Sequence, residues 1–195
     1  LTTTLCAGLV ALVALAPGSA PANGIAGDYL AARQASFQND FQAAARHYGR
    51  AVLFDPTNAE ILERAVLANI SLGDVEQAAG LADKLVAEGH RSQLAQMALV
   101  ARDAKAENFG AMLGAIDDNR GLGMLADGLV KAWSQLGQGD MSSALLEFDE
   151  VAKLEGLGPF AAYHKALALA SVGDFESAEA LFASGGPGGM VNTRR

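Results

Sequence analysis

Residues Asn39 to Pro56 read NDFQAAARHYGRAVLFDP, and the features of this stretch return along the chain at a nearly fixed interval. The pair Asn39-Asp40 recurs as Gly73-Asp74, Glu107-Asn108, Gly139-Asp140 and Gly173-Asp174, at spacings of 34, 34, 32 and 34 residues. Four residues after each Asp or Asn stands a small or apolar residue (Ala44, Ala78, Met112, Ala144, Ala178), and four beyond that come Tyr48, Ala82, Ile116, Phe148 and Phe182. Steps of this length keep both series on one helical face. Upstream of the pairs, Ala32, Val66, Val100, Ala132 and Ala166 form another series, small or β-branched, where two helices can approach closely. Each unit therefore reads as helix, tight turn, helix.

The turn chemistry agrees. Gly73 or Gly173 can take the left-handed conformation after a helix, and the Asp that follows caps the next helix through its carboxylate. Asp74-Val75-Glu76-Gln77 has the spacing of a capping box. Between units, Pro56 stops one helix while Thr57 with Glu60 is expected to cap the next, and Pro159 sits where a first helical turn would start. Ala78, Leu81, Ala82 and Leu85 make a buried stripe, opposite Glu76, Asp83 and Lys84.

On these residues the chain resembles the tetratricopeptide repeat (TPR) proteins, whose unit is a 34-residue helical hairpin with small packing residues and a proline near its end. The resemblance runs from about residue 25 to 185 and is best in the first unit, through Ala44, Tyr48, Ala51 and Pro56. It implies an all-α fold, a right-handed α-solenoid of about five hairpins. The third unit departs most: it is two residues short, carries Met112 in place of the packing alanine, and places Gly110 and Gly114 inside a helix. Repeat decay is the expected reason, with a hinge at Asp117 to Gly123 as the functional alternative.

The ends read differently. Leu5 to Ala16 is an apolar run of 12 residues, too short to span a ~30 Å hydrocarbon core, followed by Pro17-Gly18 and an Ala20-Pro21-Ala22 cleavage pattern. Residues 1–22 are thus expected to be a signal peptide, or an anchor if uncleaved, which implies a periplasmic or otherwise exported protein. Residues 186–195, Gly-rich at their start, are expected to be a flexible tail or the beginning of a further repeat, leaving the fifth unit with an open apolar face.

Composition narrows the function classes. There are 40 Ala and 26 Leu against 20 Val, Ile and Thr together, which favours helix. The formal net charge of −8 argues against nucleic acid, which needs a cationic face. A single cysteine, Cys6, excludes an intrachain disulfide and any multi-thiolate metal site. Motifs for a hydrolase nucleophile, a zinc protease or a phosphate loop are absent. The segment Gly121-Leu122-Gly123-Met124-Leu125-Ala126 matches a loose dinucleotide fingerprint, but no strand pattern precedes it. His47, His90 and His164 fall at three different places in the repeat, and Asp117-Asp118 lies in a polar loop, so no cofactor, metal site or catalytic residue is expected. Glu147, Asp149, Glu150 and Glu155 concentrate acidic charge that would steer a weakly basic partner.

What remains is binding. The resemblance implies that the first helices of successive units line a concave groove. In this sequence that gives Tyr29, Arg33 and Phe37, then Leu67 and Ile70, Met97, Leu129 and Trp133, and Phe160 and Tyr163. This apolar and aromatic set suits a polypeptide partner, although Phe37, Leu67 and Ile70 read equally well as packing between units. The carboxylate clamp of chaperone-binding relatives is not reproduced, because its places hold Tyr29, Arg33, Arg64, Leu94 and Ala98. The expected function is an exported, non-catalytic scaffold or adaptor for a protein or peptide partner. The alternative is the helical adaptor region of a larger cell-envelope enzyme.

Overall fold

A computed structural model describes residues 24–117 and 121–183. The expectations for residues 1–22 and 186–195, and residues 118–120 of the hinge segment, lie outside the described residues. Ten helices run in order: α1 (Ile25–Phe37), α2 (Phe41–Phe54), α3 (Ala59–Leu72), α4 (Val75–Ala87), α5 (Gln93–Lys105), α6 (Phe109–Asp117), α7 (Met124–Gly137), α8 (Met141–Ala152), α9 (Gly158–Ser171) and α10 (Phe175–Ala183). No strand occurs among the described residues.

One turn module, built five times, explains the period. The first residue of each recurring pair has positive φ: 59° at Asn39, 76° at Gly73, 54° at Glu107, 85° at Gly139 and 89° at Gly173. The amide of the second residue then donates to the carbonyl five residues back, as in Asp40 to Ala35 (2.9 Å) and Asp174 to Leu169 (3.0 Å). Its side-chain oxygen accepts from the amide three residues on, as in Ala43 to Asp40 (2.9 Å), Ser143 to Asp140 (3.0 Å) and Ser177 to Asp174 (3.1 Å). One residue pair thus closes the preceding helix and opens the next. Asn tolerates the left-handed region; Glu107 there costs about 1–2 kcal/mol.

Two local expectations need correction. Thr57 does not cap α3; Asn58 does, accepting from the Ile61 amide at 3.2 Å while its own amide group donates to Asp55 at 2.9 Å. The Asp74 capping box is half formed: Gln77 donates its backbone amide to Asp74, but the Asp74 amide is already taken by the Asn69 carbonyl at 3.0 Å. Pro159 stands in the first turn of α9, as expected.

Each helix packs on the next, so the hairpins stack consecutively. The small series make this possible: Ala32, Val66, Ala132 and Ala166 are fully buried, as are Ala44, Ala78 and Ala144. Among the odd-numbered helices, α3 meets α5 and α7 meets α9, whereas no two even-numbered helices meet to that extent among the described residues. The stack is therefore tighter along its odd row. The core is divided. One cluster runs from Ala32 to Ala98 through α1–α5, and separate clusters hold α7 to α9 and α9 to α10. Between them lies α6.

Candidate functional site

All ten residues expected to line the groove lie on α1, α3, α5, α7 and α9, the tight row. Their side chains divide by where they sit. Phe37, Leu67, Met97, Phe160 and Tyr163 are exposed, from 39% for Tyr163 to 85% for Phe37, and Arg33 is exposed beside them. Tyr29, Ile70, Leu129 and Trp133 are half-buried and pack on the core. Of the residues that read equally well as core, Ile70 packs inward while Phe37 and Leu67 stand out.

Two polar-aromatic nodes anchor this row. At its amino-terminal end the Tyr29 hydroxyl donates to Glu60 at 2.6 Å, and Glu60 also accepts from Arg64 at 3.0 Å. Donation to the Glu60 carboxylate raises the Tyr29 pKa, and the same bond lowers that of Glu60. Arg33 lies 5.9 Å from the Tyr29 ring centre, within cation–π range, and Tyr48 meets the same ring edge-on. Towards the other end, the Trp133 indole donates to His164 Nδ1 at 3.2 Å. Trp133 stands edge-on to Phe148 at 6.0 Å, and His164 is flanked by Tyr163 at 5.6 Å. Burial lowers the His164 pKa from its ordinary value.

Tyr29 with Arg33, and Trp133 with Tyr163 through His164, are therefore brought together; Phe37, Met97 and Phe160 stand apart. Glu60, Arg64 and His164 were not among the expected site residues. A signal for two of them exists, because Tyr29–Glu60 and Trp133–His164 are both separated by 31 residues, a fixed offset between neighbouring first helices.

Other candidates resolve into structure. The acidic concentration is largely paired internally: Glu147 with Lys131 at 2.8 Å, Asp149 with Lys165 at 2.7 Å and Glu150 with Lys153 at 2.5 Å. Little uncompensated charge is left there to steer a basic partner. The amides of Leu122 and Gly123, which a phosphate would need, donate instead to the Asp127 carboxylate at 2.5 and 3.1 Å. His47 contacts Asp28 at 2.9 Å, far from the other histidines. No group of three or more His, Cys, Asp or Glu suited to a metal occurs among the described residues. No helix among them is long and apolar enough to cross a membrane.

No family model matches the sequence, and no curated protein matches it. Solved structures do. Two crystal structures of MamA superpose with TM-scores of 0.65 and 0.67 at 18% and 17% identity, covering 78% and 82% of this chain and 90% and 88% of those chains. TTC0263, a thermophilic TPR protein of Thermus thermophilus, gives a TM-score of 0.51 at 20% identity, covering 83% of this chain and 89% of its own. The shared feature is the stack of helical hairpins: the fold is TPR-like.

Proposed function

We propose that this TPR-like solenoid is a non-catalytic interaction scaffold that holds a protein or peptide partner against its odd-helix row. The observation that carries the reading is the outward set of apolar and aromatic side chains, Phe37, Leu67, Met97, Phe160 and Tyr163, borne on successive first helices rather than scattered. Its aromatic members, Phe37, Phe160 and Tyr163, give much contact area for little ordering entropy. Trp133 and Tyr29, each fixed by a hydrogen bond, supply a preorganised floor. The apolar run Leu5–Ala16 and the Ala20-Pro21-Ala22 pattern support an exported setting, and the mass of the mature amino terminus tests it.

Site-specific photocrosslinking tests the groove. A benzophenone side chain is placed at Leu67 or Tyr163 on the odd row, and at Leu53 or Leu146 on the even row, all four exposed. Adducts with one partner band from the odd row alone support the assignment, and Tyr163→Ala weakens capture several-fold without changing helicity. Adducts in equal yield from Leu53 and Leu146 would overturn it.

A further inference from the structure

The two ends of the described stack are open in matching ways. Phe182 is 36% exposed, although its counterparts Tyr48, Ala82 and Phe148, in units where a further hairpin packs on, are 1% exposed or less. Phe175 and Glu179 are exposed too, where the residues at their register, Phe41 and Ala45 on α2 or Met141 and Leu145 on α8, are half-buried. Phe175, Glu179 and Phe182 follow steps of four and three and so share one face of α10, the face on which a first helix docks in the earlier units. At the other end, α1 is a first helix with no described hairpin before it. Gln34 on α1 is exposed where its counterparts Ala68, Ser134 and Ala168 are buried, and Leu30 beside it is exposed.

The cross-unit hydrogen bonds supply the register. Trp133 to His164, like Tyr29 to Glu60, joins residues 31 apart on neighbouring first helices. Trp133 directly follows Ala132, and His164 stands two residues before Ala166. Their counterparts at the two ends are Leu167, directly after Ala166, and Leu30, two before Ala32. A second copy placed as the next hairpin therefore sets its Leu30 against Leu167, both exposed apolar side chains. Gly27, Ala31 and Gln34 share the open face of α1, where the small residues leave room for the Phe175 and Phe182 rings. Charge agrees. Helices α1 and α2 carry three arginines, Arg33, Arg46 and Arg50, against one acid, Asp28, whereas α10 carries Glu176 and Glu179 and no cation. Arg33, Glu176 and Glu179 form no ion pair among the described residues, so each end offers uncompensated charge of the sign the other lacks.

We propose that this chain associates with further copies of itself head to tail, α1 of one copy docking on the α9–α10 end of the next and continuing the interface that joins hairpin to hairpin within the stack. The two faces differ, so the contact is heterologous and a pair still has one free face of each kind. It does not rest on partner capture in the groove. The test is sedimentation velocity of the full chain from about 5 to 500 μM, which should show association growing past the dimer. Leu30→Asp and Phe175→Asp, both at exposed positions, should each weaken it at least about tenfold. An equimolar mixture of these two variants should form a one-to-one dimer and nothing larger, because the intact α10 of the first fits the intact α1 of the second; its formation requires both variants to be folded. Leu146→Asp, exposed on the even row, leaves association unchanged. A monomer at every concentration, the result if residues 184–195 or a different protein cover α10, would overturn the proposal. Association that stops at a dimer, association that survives both variants, or a mixture that stays monomeric would each overturn it as well.

Discussion

Acidification should loosen the Trp133 node. His164 Nδ1 accepts the indole N–H at 3.2 Å, so the ring is neutral with its proton on Nε2. Protonation would set two N–H groups face to face and remove the bond. Burial acts in the same direction, holding the His164 pKa below its ordinary value of 6.5. The nearby charges Lys131, Lys165, Glu147 and Asp149 cancel as two ion pairs and leave these two effects in control. In the unfolded chain the imidazole titrates at its ordinary value, so just below that pH the unfolded state binds more protons than the folded one. The contribution to stability is therefore complete above about pH 6.5, declines as pH falls through that value, and stops declining below the folded pKa. A neutral, half-buried hydrogen bond carries about 0.5–1.5 kcal/mol, which is a melting-temperature change of roughly 2–4 °C per kcal/mol for an array of this size. The chain contains one tryptophan, so its emission reports the node without a label. Emission followed from about pH 8 to 5 should titrate with a midpoint below 6.5, and His164→Leu should abolish that transition. A midpoint at or above 6.5, or the same titration in the variant, refutes the reasoning.

Two further substitutions probe the irregular middle of the stack. A Cβ added at Gly114 meets nothing within 4 Å, so Gly114→Ala should stabilise α6 by about 1 kcal/mol, read as a higher urea midpoint; an unchanged midpoint would mean that the glycine is needed for a conformation other than helix. At Gly128 the same addition falls 2.3 Å from Val151 Cγ2, a buried and stiff side chain, so Gly128→Ala should cost about 1–3 kcal/mol. In Gly128→Ala/Val151→Ala the two losses should be sub-additive by at least about 0.5 kcal/mol, and strict additivity would show that the clash is relieved elsewhere.

The repeat was legible because the device that sets it is local. A left-handed residue, a cap and an amide three residues on all lie within one short segment, so they leave the same mark in the sequence at every unit. Competition between adjacent caps is harder to read. Thr57 and Asn58 are both competent, and the choice falls to Asn58 because Asp55 holds its amide group in place. Contacts across units are harder still. The period locates each first helix but not its rotation about its own axis, so Phe37, which reads equally well as core, stands in solvent, while Trp133, read as groove, packs on Phe148. Gly128 gave no sign of its role, since Val151, which requires the missing side chain, lies on the next helix.

The third unit shows why weak periodicity and a divided core occur together. Between α6 and α7 two contacts set a large side chain against a small one. Met112 is buried where other units have alanine, and its sulfur lies 3.9 Å from the Ser134 hydroxyl. The Phe109 ring occupies the place where a Cβ on Gly137 would stand, with the nearest ring atom 2.5 Å from that position. Large against small conserves volume across this one interface, which is the exchange a packed core tolerates best. The core clusters nonetheless separate at this unit, between α5 and α7. The residues that blur the repeat in the sequence are thus those at which the continuous core of the stack divides.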